Sequence, residues 1–153
     1  MRKIASFQVN HDLLDRGIYV SRVDGDVITY DLRMKKPNDG DYLQMSAVHT
    51  IEHLLATYLR NDRRGSEIVY VGPMGCRTGF YVLTRDSIKK EDFLKLLCSA
   101  FEFIRGFEGE IPGTKKEECG NYADHDLAGA KAEAAAYFEV LKRKSVADLE
   151  YKQ

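Results

Sequence analysis

The sequence predicts an α+β fold, an antiparallel β-sheet packed against helices in one domain covering residues 1–153. Strand-like runs come early and helix-like runs late, strand runs are joined by hairpin-type connections, and no Pro/Gly-rich linker divides the chain. That order favours a sheet covered by helices over a parallel βαβ arrangement.

The first strands are Gly17–Val23 and Val27–Arg33, either side of Asp24-Gly25-Asp26. Asp-Gly between β-rich runs is a hairpin signal. In the second run Ile28, Tyr30 and Leu32 alternate with Thr29, Asp31 and Arg33, so Arg33 projects from the face opposite Leu32. A helix follows over Met45–Arg60, where Val48, Ile51, Leu54, Leu55, Tyr58 and Leu59 recur at helical spacing. Ser66–Val71 and Gly79–Thr84 read as two more strands, separated by a loop that sets Cys76 among backbone breakers. A second helix covers Lys89–Gly106, with Phe93, Leu94, Leu97, Phe101 and Ile104 on its inner face. After a loop containing Ile111-Pro112-Gly113, a third helix covers Leu127–Lys144, with Asp124 or Asp126 as its N-cap.

Composition excludes several function classes. The 153 residues carry 23 basic and 24 acidic side chains, net −1, without the basic excess of a nucleic-acid binder or a polybasic membrane surface. No apolar run reaches the roughly 18 residues of a membrane helix, and the N-terminus lacks a signal-peptide core. A cytoplasmic location is the default expectation. Three cysteines, Cys76, Cys98 and Cys119, are too few and too odd for a disulfide framework, which leaves thiols for metal or acid–base work.

The sharpest local feature is His49-Thr50-Ile51-Glu52-His53. Residues four apart share a helix face, so both imidazoles can reach one metal ion. Glu52 sits beside them and can serve as a general base. The same H-x-x-E-H spacing occurs in inverted zinc peptidases, and the bland reading is two surface histidines with a solvated glutamate. A third ligand is required. Cys119, in Glu118-Cys119-Gly120-Asn121-Tyr122, is the best candidate, although a small half-buried cysteine accounts for it equally on spacing alone. His125 competes as a ligand, but a polar role at the helix start is preferred for it; His11 is either a ligand or a polar residue at a strand end. Cys76, between Gly75 and Gly79 with Arg33 and Arg77 as neighbouring cations, is either an activated thiol or a structural loop cysteine. Cys98, between Leu97 and Phe101 on a helix, reads as core packing.

Five segments together resemble one family, the S-ribosylhomocysteine lyases that make the autoinducer-2 precursor in bacteria. They are Ser6–His11, Asp31–Arg33, His49–Leu54, Pro73–Tyr81 and Cys119–Tyr122, in the family's order and across nearly the whole chain. The resemblance implies cleavage of S-ribosylhomocysteine to homocysteine and 4,5-dihydroxy-2,3-pentanedione through two carbonyl migrations and a β-elimination. It implies one divalent metal per subunit, ferrous iron natively and zinc or cobalt in purified protein, held by His49, His53 and Cys119. It implies Glu52 and Cys76 as acid–base groups, and Ser6, His11, Arg33 and Arg60 on the substrate side. A homodimer with both sites at the interface is implied as well. At Tyr70-Val71-Gly72 the chain departs from many relatives, which carry an acidic residue there; a contact to the homocysteine ammonium is not carried over to that strand. Two other readings compete: a small H-x-x-E-H peptidase, and a metal-binding protein of the same fold without catalysis.

Overall fold

Gly25, at φ 59°, and Asp26 form the two-residue turn that folds β1 (Gly17–Asp24) back onto β2 (Val27–Arg33). A positive φ costs glycine nothing, which is why Asp-Gly marks this hairpin. A second hairpin pairs β3 (Ile68–Pro73) with β4 (Gly79–Arg85), and β4 lies antiparallel against β2. The result is one antiparallel sheet in the order β1-β2-β4-β3. The computed structural model describes residues 1–152.

Alternation along the strands gives the sheet two different faces. On one, Ile18 pairs with Leu32, Leu32 with Phe80, and Tyr30 with Val82, all buried. Three helices cover it: α2 (Met45–Asn61), α3 (Lys90–Arg105) and α4 (Leu127–Leu141). Each lays an apolar stripe on the shared core, Ile51, Leu54, Leu55 and Leu59 from α2 and Phe93, Leu97, Phe101 and Ile104 from α3. Small residues Ala130 and Ala134 let α4 come close. The helices therefore match the expected α+β layout, with ends within a few residues of those read from periodicity. Cys98 packs against this core, and burial raises its thiol pKa.

The other face carries polar rows. Tyr19, Asp31 and Tyr81 lie side by side across β1, β2 and β4, and Gly17, Arg33 and Gly79 form the next row. Arg33 thus lies opposite Leu32, as its position in the alternation requires. No helix of the α2–α4 layer covers this face. A short turn unforeseen in the sequence, α1 (Ala5–Gln8), lies near it, and the segment after α4 returns along β1, where Leu149 C=O accepts the Val20 N–H at 2.8 Å.

Candidate metal centre and thiol pocket

His49 and His53 lie one turn apart near the middle of α2, half-buried, their rings 4.5 Å apart and edge to face. The start of α4 is pinned over them. Asp126 caps α4 by accepting from Gly129 N–H at 2.9 Å, which selects it over Asp124 as the cap. Asp126 N–H in turn donates to Thr50 Oγ1 at 3.0 Å, and Ser46 Oγ donates to the Asp124 carboxylate. A Cβ on Gly129 would come within 3.3 Å of Ala47, so glycine allows the close approach. These contacts bring the Cys119–His125 loop down onto the histidines.

Backbone carbonyls fix the tautomers of both rings. His49 Nδ1 lies 2.7 Å from the Asp124 carbonyl and His53 Nδ1 2.7 Å from the Pro112 carbonyl. A carbonyl only accepts, so both Nδ1 atoms carry the proton and both Nε2 atoms present lone pairs. This is the orientation that metal-binding imidazoles adopt. Cys119 Sγ stands 3.4 Å from His49 Nε2 and 3.8 Å from His53 Nε2. Tetrahedral zinc with bonds of ~2.1 Å to nitrogen and ~2.3 Å to sulfur places such ligands about 3.6 Å apart. The donor set and its spacing therefore fit a divalent metal.

His125 belongs to the same cluster rather than only to the helix start. Its ring stacks on His49 at 4.1 Å and meets His53 at 4.9 Å. Ring nitrogens of His49, His53 and His125 all lie within 4.8 Å of one another. His125 Nδ1 is 2.9 Å from Thr50 Oγ1, and its Nε2 is buried with no partner among the described residues. Burial, then the neighbouring imidazoles, lower its pKa. Cys119 Sγ, within 3.8 Å of both imidazoles, and His125 thus both stand beside the His49–His53 pair. Glu52 is half-buried next to His53, and its carboxylate makes no hydrogen bond or ion pair among the described residues.

Gly113 shows how tightly this site is built. Its φ is 75°, and a Cβ there would lie 2.9 Å from His53 Nδ1. Gly113→Ala is expected to displace the His53 ring and weaken metal binding by about 10–100-fold, the usual cost of disturbing a ligand's outer partner. Competition with a chromophoric chelator measures this; wild-type affinity would show that the ring tolerates the intrusion.

A second pocket gathers other sequence candidates. Its cavity of about 260 Å³ is lined by His11, Arg33, Tyr42, Cys76 and Thr78, among others. Arg33 is buried and held at each of its three guanidinium nitrogens: Nε and Nη2 donate to Asp31 at 3.1 and 2.7 Å, and Nη1 donates to Thr78 Oγ1 at 2.8 Å. Burial lowers the guanidinium pKa, but the Asp31 bonds and charge outweigh it and leave the group above its usual value. Thr78 Oγ1 is 3.0 Å from Cys76 Sγ, and the thiol is exposed. Arg77, beside it, holds a positive φ of 60°, a strained backbone for a residue with a Cβ. Gly79 must be glycine, because a Cβ would sit 1.9 Å from the Leu32 carbonyl.

The remaining candidates lie apart. His11 lines the thiol pocket, not the imidazole cluster, and bonds the Val9 carbonyl through Nδ1 at 2.9 Å. Ser6 lines a neighbouring shallow cavity with Tyr70 and Tyr81. Arg60 donates to the Ile68 and Val69 carbonyls at 3.3 and 3.2 Å, tying the end of α2 to β3. No lining residue of the thiol pocket is a member of the imidazole cluster.

Comparison with known proteins agrees with this geometry. Residues 4–147 match the profile of S-ribosylhomocysteinase (LuxS). The chain is 50% identical to an S-ribosylhomocysteine lyase of Phocaeicola vulgatus, covering 99% of this chain and 98% of the relative. It is 50% identical to one of Porphyromonas gingivalis, at 99% of each, and 46% identical to one of Desulfotalea psychrophila, again at 99% of each. An i, i+4 histidine pair facing a cysteine, an exposed thiol in a glycine-flanked loop and full-length similarity converge: the chain belongs to the S-ribosylhomocysteinase (LuxS) family.

Proposed function

We propose that this chain is an S-ribosylhomocysteine lyase, releasing homocysteine and 4,5-dihydroxy-2,3-pentanedione. The observation that carries the reading is the approach of Cys119 Sγ to two imidazoles already oriented by backbone carbonyls. In this reading His49, His53 and Cys119 hold one divalent ion, ferrous iron in the cell and zinc or cobalt after purification. Bound there, the metal supplies Lewis-acid polarisation of the substrate's carbonyl oxygen. The chain's own residues handle the protons. Glu52, unpaired beside the ligands, takes and returns protons on the metal side. Cys76 does so on the other side of the sugar, its sulfur 3.0 Å from the Thr78 hydroxyl that Arg33 holds. Ser6, His11 and Arg60 serve the substrate side.

Two shared-surface observations support a homodimer with sites built from both subunits. The thiol pocket and the imidazole cluster share no residue, and Ile4 and Tyr70 remain 57% and 53% exposed around the cavity on the sheet's uncovered face. A cytoplasmic, single-domain enzyme supplying the autoinducer-2 precursor fits the same reading; no helix among the described residues is long and apolar enough to cross a membrane. The test is thiol release from S-ribosylhomocysteine before chelation, after chelation, and after ferrous iron is restored. Release that follows the metal supports the proposal. Peptide cleavage without thiol release would instead favour the peptidase reading.

A further inference from the structure

Behind the Arg33–Thr78–Cys76 chain stands a residue that the reaction has not used. Tyr151 donates its hydroxyl to Asp31 Oδ2 at 2.7 Å, the same oxygen that accepts Arg33 Nη2 at 2.7 Å. Its ring stacks on Tyr19 with centroids 4.9 Å apart and planes 19° apart. The backbone bond from Val20 to Leu149 holds the approaching segment against β1. The hydroxyl's position is thus set from two independent sides. Burial, then the Asp31 charge, raise its pKa, so it is a neutral donor at physiological pH.

We propose that Tyr151 is a positioning residue for the Cys76 thiol, acting through Asp31, Arg33 and Thr78. Asp31 is buried, so each donor on its oxygens matters. With Tyr151 in place, Oδ2 divides between two donors and the guanidinium keeps Nη1 on Thr78. Thr78 Oγ1, accepting from Arg33, is left to donate its own proton to sulfur. Without the Tyr151 hydroxyl, Oδ2 draws harder on Arg33 and the carboxylate loses its anchor. Both changes weaken the bond from Arg33 to Thr78 and, through it, the hold of the Thr78 hydroxyl on the Cys76 sulfur. The other titratable or charged groups around the thiol are His11, Tyr42, Arg77 and Tyr81. A Tyr151→Phe change leaves all of them in place.

The significance for turnover rests on the acid–base reading of Cys76; the hydrogen-bond chain does not. The test is the rate at which iodoacetamide alkylates Cys76 in the metal-loaded full chain at pH 7, resolved by peptide mass spectrometry. Cys98, half-buried on α3, is the internal reference. Tyr151→Phe keeps the stack on Tyr19 and removes only the hydroxyl. It is expected to slow Cys76 about three- to tenfold, a fraction of what a hydrogen bond to a charged group contributes, with Cys98 unchanged. Thr78→Val, which removes the last link, is expected to slow Cys76 at least as much. A wild-type Cys76 rate in Tyr151→Phe, or a change shared equally by Cys98, overturns the proposal. Slowed alkylation together with normal turnover in Cys76→Ala would leave this inference standing and sink the acid–base reading instead.

Discussion

His53→Ala is expected to strip the chain of most of its bound metal while leaving it folded. The side chain is half-buried on an amphipathic helix whose core stripe, Ile51, Leu54 and Leu55, does not include it. Alanine is a better helix former than histidine, so α2 loses nothing intrinsically. What disappears is one of the two imidazoles that Cys119 Sγ approaches, together with the Pro112 carbonyl bond that orients it. The loss of affinity should exceed the ~10–100-fold typical of removing an outer-shell partner. Metal content after dialysis against a weak chelator, read beside the circular dichroism spectrum, checks both halves. Full metal content in a folded variant would refute His53 as a ligand and shift the third position to His125.

Cys76→Ala is expected to do the opposite, keeping metal and losing product. The thiol lies in a pocket separate from the imidazole cluster, and no metal-ligand contact depends on it. A positioned acid–base group contributes about 10²–10⁴-fold to rate, and kcat should fall by that order. Serine in its place keeps the shape and a hydrogen bond to Thr78 but not a readily ionised proton, so Cys76→Ser should remain within reach of the alanine variant. A normal rate in either would mean that another base serves this side of the sugar.

The parts legible in the sequence were those governed by local rules. Asp24-Gly25-Asp26 announced its hairpin because the turn demands a left-handed residue. The 3.6-residue recurrence in α2 and α3 reported which face meets the core, and His49 and His53 shared a face because four residues make about one turn. The four residues of α1 bury no side chain and carry no apolar period, so nothing marked them. In the sequence His125 competes as a ligand with a plainer polar role at the helix start; its stacking on His49 depends on how α4 docks on α2, a long-range matter. Arg33 was placed on the correct sheet face by alternation. That its guanidinium is consumed by Asp31 and Thr78, the latter 45 residues away, followed only from the register of β2 against β4. The Tyr151 bond to Asp31 spans 120 residues and had no sequence signal beyond an aromatic near the end of the described chain.

Product analysis of anaerobically purified, iron-loaded protein given S-ribosylhomocysteine decides whether this chain is a lyase for that substrate. Homocysteine and 4,5-dihydroxy-2,3-pentanedione appearing in equal amounts, and ceasing when the metal is withdrawn, is the predicted result. Metal-replete protein that releases neither product would rule out this reaction and leave a lyase fold acting on a different substrate.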